Sequence, residues 1–180
     1  MTARAYDAIV YDLDGTLVHL DVDWSLVAVD VLDVYLEAAI DPPSKGLWEL
    51  LGSAAEFDLA PEVEATIASH EREGARSSTR LAHADHLEET AQYVPVGVCS
   101  LNCEDACRIA LREHDLESAV DAVVGRDTVE TRKPDPEPLL ETIEGLDATP
   151  ETTLFIGDSS RDEKTAQRAG TTFEYVDTGR

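Results

Sequence analysis

The stretch AIVYDLDGTLV, Ala8 to Val18, sets two aspartates two residues apart at the end of a short apolar run, with a glycine directly behind them. Side chains at i and i+2 of a strand point to the same side, so Asp12 and Asp14 face one way together. Neighbouring carboxylates repel, and such a pair persists cheaply only with a cation or a shared proton between them. A solvated strand-to-loop turn is the plainer alternative, because Asp and Gly are ordinary turn residues. For this pair alone both readings stand.

Three further sites bear on the choice: Ser100 after the apolar VPVGVC, Lys133 within RKPDP, and GDSSRD from Gly157 to Asp162. Four carboxylates (Asp12, Asp14, Asp158, Asp162) around one lysine suit a phosphate ester bound with Mg²⁺. That ion is a hard cation taking carboxylate, water and phosphate oxygens. Asp12, with an unperturbed pKa of about 3.9, is expected to be ionised at neutral pH. Carboxylates serve as nucleophiles through aspartyl-phosphates. Attack of an anion on phosphorus needs charge screening, which Mg²⁺ and Lys133 would supply.

The elements that must bring these residues together are legible in the apolar pattern. Ala8 to Tyr11 reads as a buried strand. DWSLVAVDVLDVYLEAAI places Leu26, Val27, Val31, Val34, Tyr35 and Ala38 close to helical spacing, with Asp23 as cap. DPPSKG breaks the chain, and helices are predicted over Leu47 to Phe57 and over Pro61 to Glu73, the second with Pro61 in its first turn. A helix over Ala82 to Gln92 leads into a strand ending near Ser100. The rest alternates: helix Cys103 to His114, strand AVDAVVG, loop RDTVETRKPDPEP, helix Leu139 to Glu144, strand TTLFIGDSS, helix Asp162 to Ala169, and strand TTFEYVD. Alternation implies right-handed crossovers and a mainly parallel sheet. In such an α/β fold the carboxyl ends of the strands share one edge, where residues far apart in sequence converge. Residues 1–19 and 81–180 are assigned to this Rossmann-like core, and 20–80 to a small helical insertion after the first strand.

Length and charge narrow the function further. A chain of 180 residues suffices for one core plus a small insertion. The 38 acidic against 14 basic residues give a formal charge of −24, which repels nucleic acid and anionic membranes. The 43% of hydrophobic residues and the spread of acids along the chain argue against a disordered acidic tail. Only Lys45, Lys133 and Lys164 are lysines, and this Lys-poor, acid-rich composition resembles proteins of salt-loving organisms, in which dense salt screens self-repulsion. Cys99, Cys103 and Cys107 form no CxxC pair and read as small, buried, reduced thiols. No stretch approaches the ~20 apolar residues that span a bilayer, and MTARAYD lacks a signal peptide's apolar region. A cytoplasmic protein, monomer or homodimer, is expected.

DLDGT, a serine after an apolar strand, RKPDP and GDSSRD, in that order, resemble the four motifs of the haloacid dehalogenase-like (HAD) superfamily. Within it the small phosphatases similar to phosphoglycolate phosphatase fit best. The resemblance spans nearly the whole chain. It implies that Asp12 is the nucleophile and that Asp14 protonates the leaving alcohol and then activates water. Ser100, Asn102 and Lys133 would hold the phosphoryl oxygens. Asp158, with Asp12 and the backbone carbonyl of Asp14, would bind Mg²⁺, while Asp162 would support the metal site through water or orient Lys133. The insertion would be the family's α-helical cap. Dehalogenases of the superfamily lack an aspartate at the position of Asp14, so its presence favours phosphoryl transfer. The implied substrate is a small phosphorylated metabolite, with 2-phosphoglycolate the named candidate.

Two departures stand out. Leu101 separates Ser100 from Asn102, where relatives have Asn directly after the Ser or Thr. His19 replaces a frequently acidic residue and reads as a surface or hinge histidine. His83 and His86 are expected on a solvated helix face, Arg126 and Arg132 as surface charges, and Trp24 and Trp48 as packing residues. The rival readings are a sugar-phosphate mutase, a phosphonate hydrolase resting on Lys45, and a catalytically silent binding protein. A signalling receiver domain has its acidic pair adjacent and its lysine last, an order this chain does not follow.

Overall fold

The computed structural model describes residues 6–176. Strand β1, Ala8–Tyr11, opens the chain, and β2, Val18–His19, follows the DLDGT turn. Next come helices α1, Trp24–Glu37, α2, Leu47–Ser53, and α3, Ala60–Arg76. Strand β3, Thr79–Arg80, returns antiparallel to β2, so a two-stranded ribbon joins the insertion to the rest of the chain. Then α4, His83–Thr90, β4, Val96–Cys99, α5, Glu104–Glu113, and β5, Ala122–Val124, alternate. They are followed by α6, Glu137–Gly145, β6, Thr153–Gly157, α7, Ser160–Ala169, and β7, Thr172–Tyr175. The sheet order is β5-β4-β1-β6-β7, and every pairing in it is parallel.

Strand periodicity decides which helices cover which face. Ile9 and Tyr11 point with Val96, Val98, Leu154 and Ile156 toward Leu87 of α4 and toward Ala106, Cys107 and Leu111 of α5. Ala8, Val10 and Phe155 point the other way, toward Leu139 and Ile143 of α6 and Ala166 of α7. Both faces are covered, as a parallel sheet requires. Each fully buried leucine, such as Leu87, Leu111 or Leu116, contributes about 1.5–3 kcal/mol.

The insertion has its own core of Val27, Val31, Tyr35, Leu50, Ala54, Leu59, Val63 and Ile67. Asp23 caps α1 by accepting from the backbone N–H groups of Ser25 and Leu26. Leu26, read as an apolar-face residue, is 48% exposed, because its neighbour Val27 takes the inward position. The single helix predicted from Leu47 to Phe57 is two pieces: a 3₁₀ turn, Ala54–Phe57, ends on Asp58 in the left-handed conformation. Ala68 and Ala75 of α3 belong to the sheet's core rather than the insertion's, so α3 bridges the two.

The ribbon of β2 and β3 has no counterpart in the sequence reading, since two-residue strands carry no periodicity. Asp177, the last residue of the expected final strand, lies outside the described residues. His86, expected on a solvated face, is tied by its Nδ1 to the Tyr11 hydroxyl at 2.8 Å. Among the described residues no helix is long and apolar enough to cross a membrane.

Candidate functional site

The parallel sheet delivers its strand ends to one edge, and β1 and β6 supply the acidic groups there. Asp12 continues the ladder, its N–H donating to the Ile156 carbonyl at 2.8 Å, which points its side chain out of the sheet's end. Lys133 reaches in from the loop after β5. Its Nζ donates to Asp12 Oδ1 at 2.9 Å, to Asp162 Oδ1 at 2.6 Å and to the Cys99 carbonyl at 3.1 Å. All three donors of this buried ammonium are used. Thr16, also buried, donates to Asp12 Oδ2 at 3.4 Å.

Asp162 is fully committed. Its Oδ2 accepts from the hydroxyl and N–H of Ser159 while the Ser159 hydroxyl caps α7, a reciprocal capping box. Its Oδ1 accepts from Lys133, and Asp162 also stands in the acidic cluster with Asp12 and Asp158. Asp158, by contrast, is exposed and lies beside Gly15. Gly15 has φ 86°, and a Cβ there would fall 2.2 Å from Asp158 Oδ2. Only glycine therefore lets the DLDGT turn pass so close to this carboxylate.

Burial raises the pKa of the Asp12 carboxyl, against the opposing pull of Lys133. The same desolvation would by itself favour a neutral Lys133, but its two carboxylate partners, Asp12 and Asp162, outweigh it and keep the ammonium firmly protonated. Burial also raises Asp14, whose Oδ1 accepts from the Leu20 N–H at 2.9 Å. His19 Nδ1 stands 3.8 Å from the same oxygen with its side chain 72% exposed, which fits a hinge residue on β2. Burial raises Asp158 as well, with Asp162 adding to the effect. Oxygens of Asp12, Asp158 and Asp162 all lie within 4.8 Å of one another. Such a donor set, all carboxylate oxygen, fits a hard divalent cation such as Mg²⁺. Within this set Asp158 alone accepts no side-chain hydrogen bond, whereas Asp12 is engaged by Lys133 and Thr16 and Asp162 by Lys133 and Ser159.

The Ser100 loop adapts to its extra residue by a tight turn. Ser100 Oγ donates to Asn102 Oδ1 at 3.0 Å, and the Asn102 N–H returns to Ser100 Oγ at 3.1 Å. Beyond it lies a network that sequence reasoning missed. Asn102 Nδ2 and the Cys103 N–H both donate to the carboxylate of Glu71, on α3, at 3.2 and 3.0 Å. Arg126 binds Glu71 through both terminal nitrogens, holds Glu64, and donates to the Leu101 carbonyl at 2.7 Å. Arg126 is thus buried rather than a surface charge, and Leu101 is fixed by its backbone. Glu71 could have been suspected from its place on the apolar face of α3, between Ile67 and Gly74.

A cavity of about 300 Å³ opens over Asp12, Asp14, Lys133 and Asp158. Trp24 and Trp48 form part of its wall, their rings 6.1 Å apart. Trp24 also packs on the insertion's core, but neither is a packing residue alone. The structure therefore brings Asp12, Asp14, Asn102, Lys133, Asp158 and Asp162 to one cavity, with Ser100 bonded to Asn102 at its edge.

Comparison with known proteins finds similar sequences and a shared fold. The phosphoglycolate phosphatase of Rhodospirillum rubrum is 29% identical over 205 residues, covering 91% of this chain and 76% of the relative. The pyrophosphatase PpaX of Bacillus mycoides is 40% identical over 80 residues, 44% of this chain and 37% of that one. A HAD-superfamily hydrolase of Geobacter sulfurreducens shares the fold with a TM-score of 0.63 at 24% identity, covering 94% of this chain and 88% of that one. The family model for haloacid dehalogenase-like hydrolases matches residues 9–176, so the chain belongs to the haloacid dehalogenase-like hydrolase family.

Proposed function

We propose that the chain is a Mg²⁺-dependent phosphatase that hydrolyses a small phosphate monoester through an aspartyl-phosphate on Asp12. The observation that carries this reading is the placement of the Asp12 carboxylate on the cavity floor, held by Lys133 at 2.9 Å with Asp14 and Asp158 beside it. An Asp12 oxygen forms the new bond to phosphorus as the bond to the leaving oxygen breaks. Asp14 donates its proton to that oxygen. Its Oδ1 is engaged by the Leu20 N–H, which leaves Oδ2 to carry the proton. In the second half Asp14 takes a proton from water, which attacks phosphorus and frees Asp12. Lys133 offsets the negative charge shared between Asp12 and the phosphoryl group, Asn102 donates to a phosphoryl oxygen through the amide hydrogen not given to Glu71, and the Ser100 hydroxyl does so by turning from Asn102 Oδ1 to the substrate. Bound between Asp12 and Asp158, Mg²⁺ would supply the charge screening that an anionic nucleophile and an anionic ester need. The helices α1 to α3 serve as the cap that shields the acyl phosphate from bulk water. The curated relatives support a phosphate-releasing reaction, and 2-phosphoglycolate is the named candidate substrate.

The test is phosphate release from p-nitrophenyl phosphate in KCl-containing buffer. Release that requires Mg²⁺, stops with EDTA and is lost in Asp12→Asn is expected. A folded natural chain that releases no phosphate from this or any other monoester overturns the reading.

A further inference from the structure

Arg132 and Arg161 are the guanidinium groups this fold leaves without a carboxylate at the cavity mouth. Arg76, Arg80, Arg108, Arg112 and Arg126 each hold at least one carboxylate. Among the described residues no such pair involves Arg132 or Arg161, in a chain of net charge −24. Among the described residues Arg72 and Arg168 also form no such pair, Arg168 donating instead to the Pro134 carbonyl, so what sets Arg132 and Arg161 apart is that both line one cavity against Trp48.

Both arginines come from the core and reach the same cap helix. The Arg161 guanidinium lies over the Trp48 ring, 5.8 Å from its centroid. A terminal nitrogen of Arg132 lies 3.2 Å from where a Cβ on Gly52 would stand, one helical turn beyond Trp48. Arg161 and Trp48 line the main cavity together with Asp12 and Asp14. A second cavity of about 170 Å³ adjoins it, lined by Trp48, Leu101, Arg132, Lys133, Pro134 and Arg161. Trp48, Leu101, Lys133 and Arg161 line both, so the two spaces are neighbours across these side chains. Arg161 immediately precedes Asp162, which orients Lys133. A group bound at the arginines is therefore held at a fixed offset from the reacting phosphoryl group.

Guanidinium groups are planar donors that match carboxylate and phosphate oxygens two at a time, and stacking on Trp48 holds Arg161 in place without using its N–H donors. Building on the phosphatase reading, we propose that Arg132 and Arg161, backed by Trp48, form a leaving-group subsite that selects phosphate monoesters whose alcohol carries a second anionic group. The carboxylates at the cavity floor keep that anion away from the reaction centre, so the two ends of the substrate are sorted by charge. The subsite takes carboxylate or phosphate alike, since both present paired oxygens.

The experiment compares kcat/KM within matched pairs of esters. Phosphoglycolate is set against ethyl phosphate, and 4-carboxyphenyl phosphate against phenyl phosphate. The pairs differ in the reach of the anion, and pyrophosphate tests a phosphate in its place. The natural chain is expected to favour the charged member of at least one pair by tenfold or more. In the double variant Arg132→Ala, Arg161→Ala, shown to melt as a folded protein, that ratio is expected to fall to within about threefold of one. Arg161→Lys should recover part of it, because the charge returns without the fork. Turnover with no charge preference, or a preference that survives the double variant, overturns the subsite while leaving the phosphatase reading intact. Absence of turnover of every ester overturns both.

Discussion

Glu71 of the cap and Arg126 of the core form an ion pair in which both side chains are out of solvent, 0% and 2% exposed. The pair is joined to the Ser100 loop through Asn102 and Cys103, so hydrogen bonds tie α3 of the insertion directly to that loop. Removing one partner of a buried pair leaves an uncompensated charge and costs about 3–5 kcal/mol. Glu71→Ala should destabilise by that amount in urea unfolding. Arg126→Met should cost a similar amount, and the double variant clearly less than the sum of the two. Additive losses would show that the pair does not couple cap to core.

Lys133 neutralises two buried carboxylates at once. Lys133→Met strands Asp12 and Asp162 without their cation and should cost about 3–5 kcal/mol at pH 8 in EDTA. The sign of the pH dependence follows from the pKa directions. Burial already raises Asp12 and Lys133 opposes that rise, so its loss moves the folded-state pKa further up. A carboxyl with a raised folded pKa contributes its full stability below the unfolded value and loses it as pH rises. The gap between variant and natural chain should therefore narrow from pH 8 to pH 5, measured as urea midpoints. A gap independent of pH would place the cost elsewhere.

The sequence carried what repeats or stands at strand ends, and little of what depends on a single long-range contact. Asp12, Asp14, Ser100, Lys133 and Asp158 were readable because strand ends of a parallel sheet must converge. The helices of the insertion were readable from their apolar spacing, as Val27, Val31 and Tyr35 show. Glu71 was passed over because a glutamate on a helix is ordinarily solvated; its position on the apolar face of α3 hints at burial, but its partners are revealed only in space. Arg126 was misread for the same reason, as its partners Glu64 and Glu71 lie 62 and 55 residues away. The wall formed by Trp24 and Trp48 depends on how α1 and α2 lean over the sheet edge, which no local pattern encodes.

Three thiols sit in this fold without chemistry of their own. Burial pushes the Cys99 pKa up to about 11 and that of Cys103 to about 12, and holds Cys107 protonated as well. The native chain should therefore resist thiol reagents at pH 8, releasing all three equivalents only in denaturant. A thiol raised above its unfolded value near 8.5 stabilises fully below that pH and loses the contribution as pH climbs toward the folded value. Urea midpoints should hold steady from pH 7 to 8.5 and decline from pH 9 to 11. Rapid labelling of the native chain would show the thiols to be accessible.

The charge of −24 sets the last expectation. Every one of the helices α1 to α7 carries acidic residues, with carboxylates such as Asp85, Glu88 and Glu113 exposed on the surface of the core and Glu37, Glu62 and Glu73 on that of the insertion. Compaction brings these like charges within a Debye length of about 10 Å at 0.1 M salt, shrinking to about 3 Å at 1 M. Self-repulsion therefore weakens the folded state at low salt and fades as salt rises. Melting temperature should climb steadily with KCl, each kcal/mol of relief raising it by ~2–4 °C for a chain of this size. NaCl should match KCl if screening is the cause, while Mg²⁺ bound at Asp12 and Asp158 should add a saturable step at far lower concentration. A melting temperature indifferent to salt would mean that the acidic surface is already balanced locally, and the likeness to proteins of salt-loving organisms would then be one of composition alone.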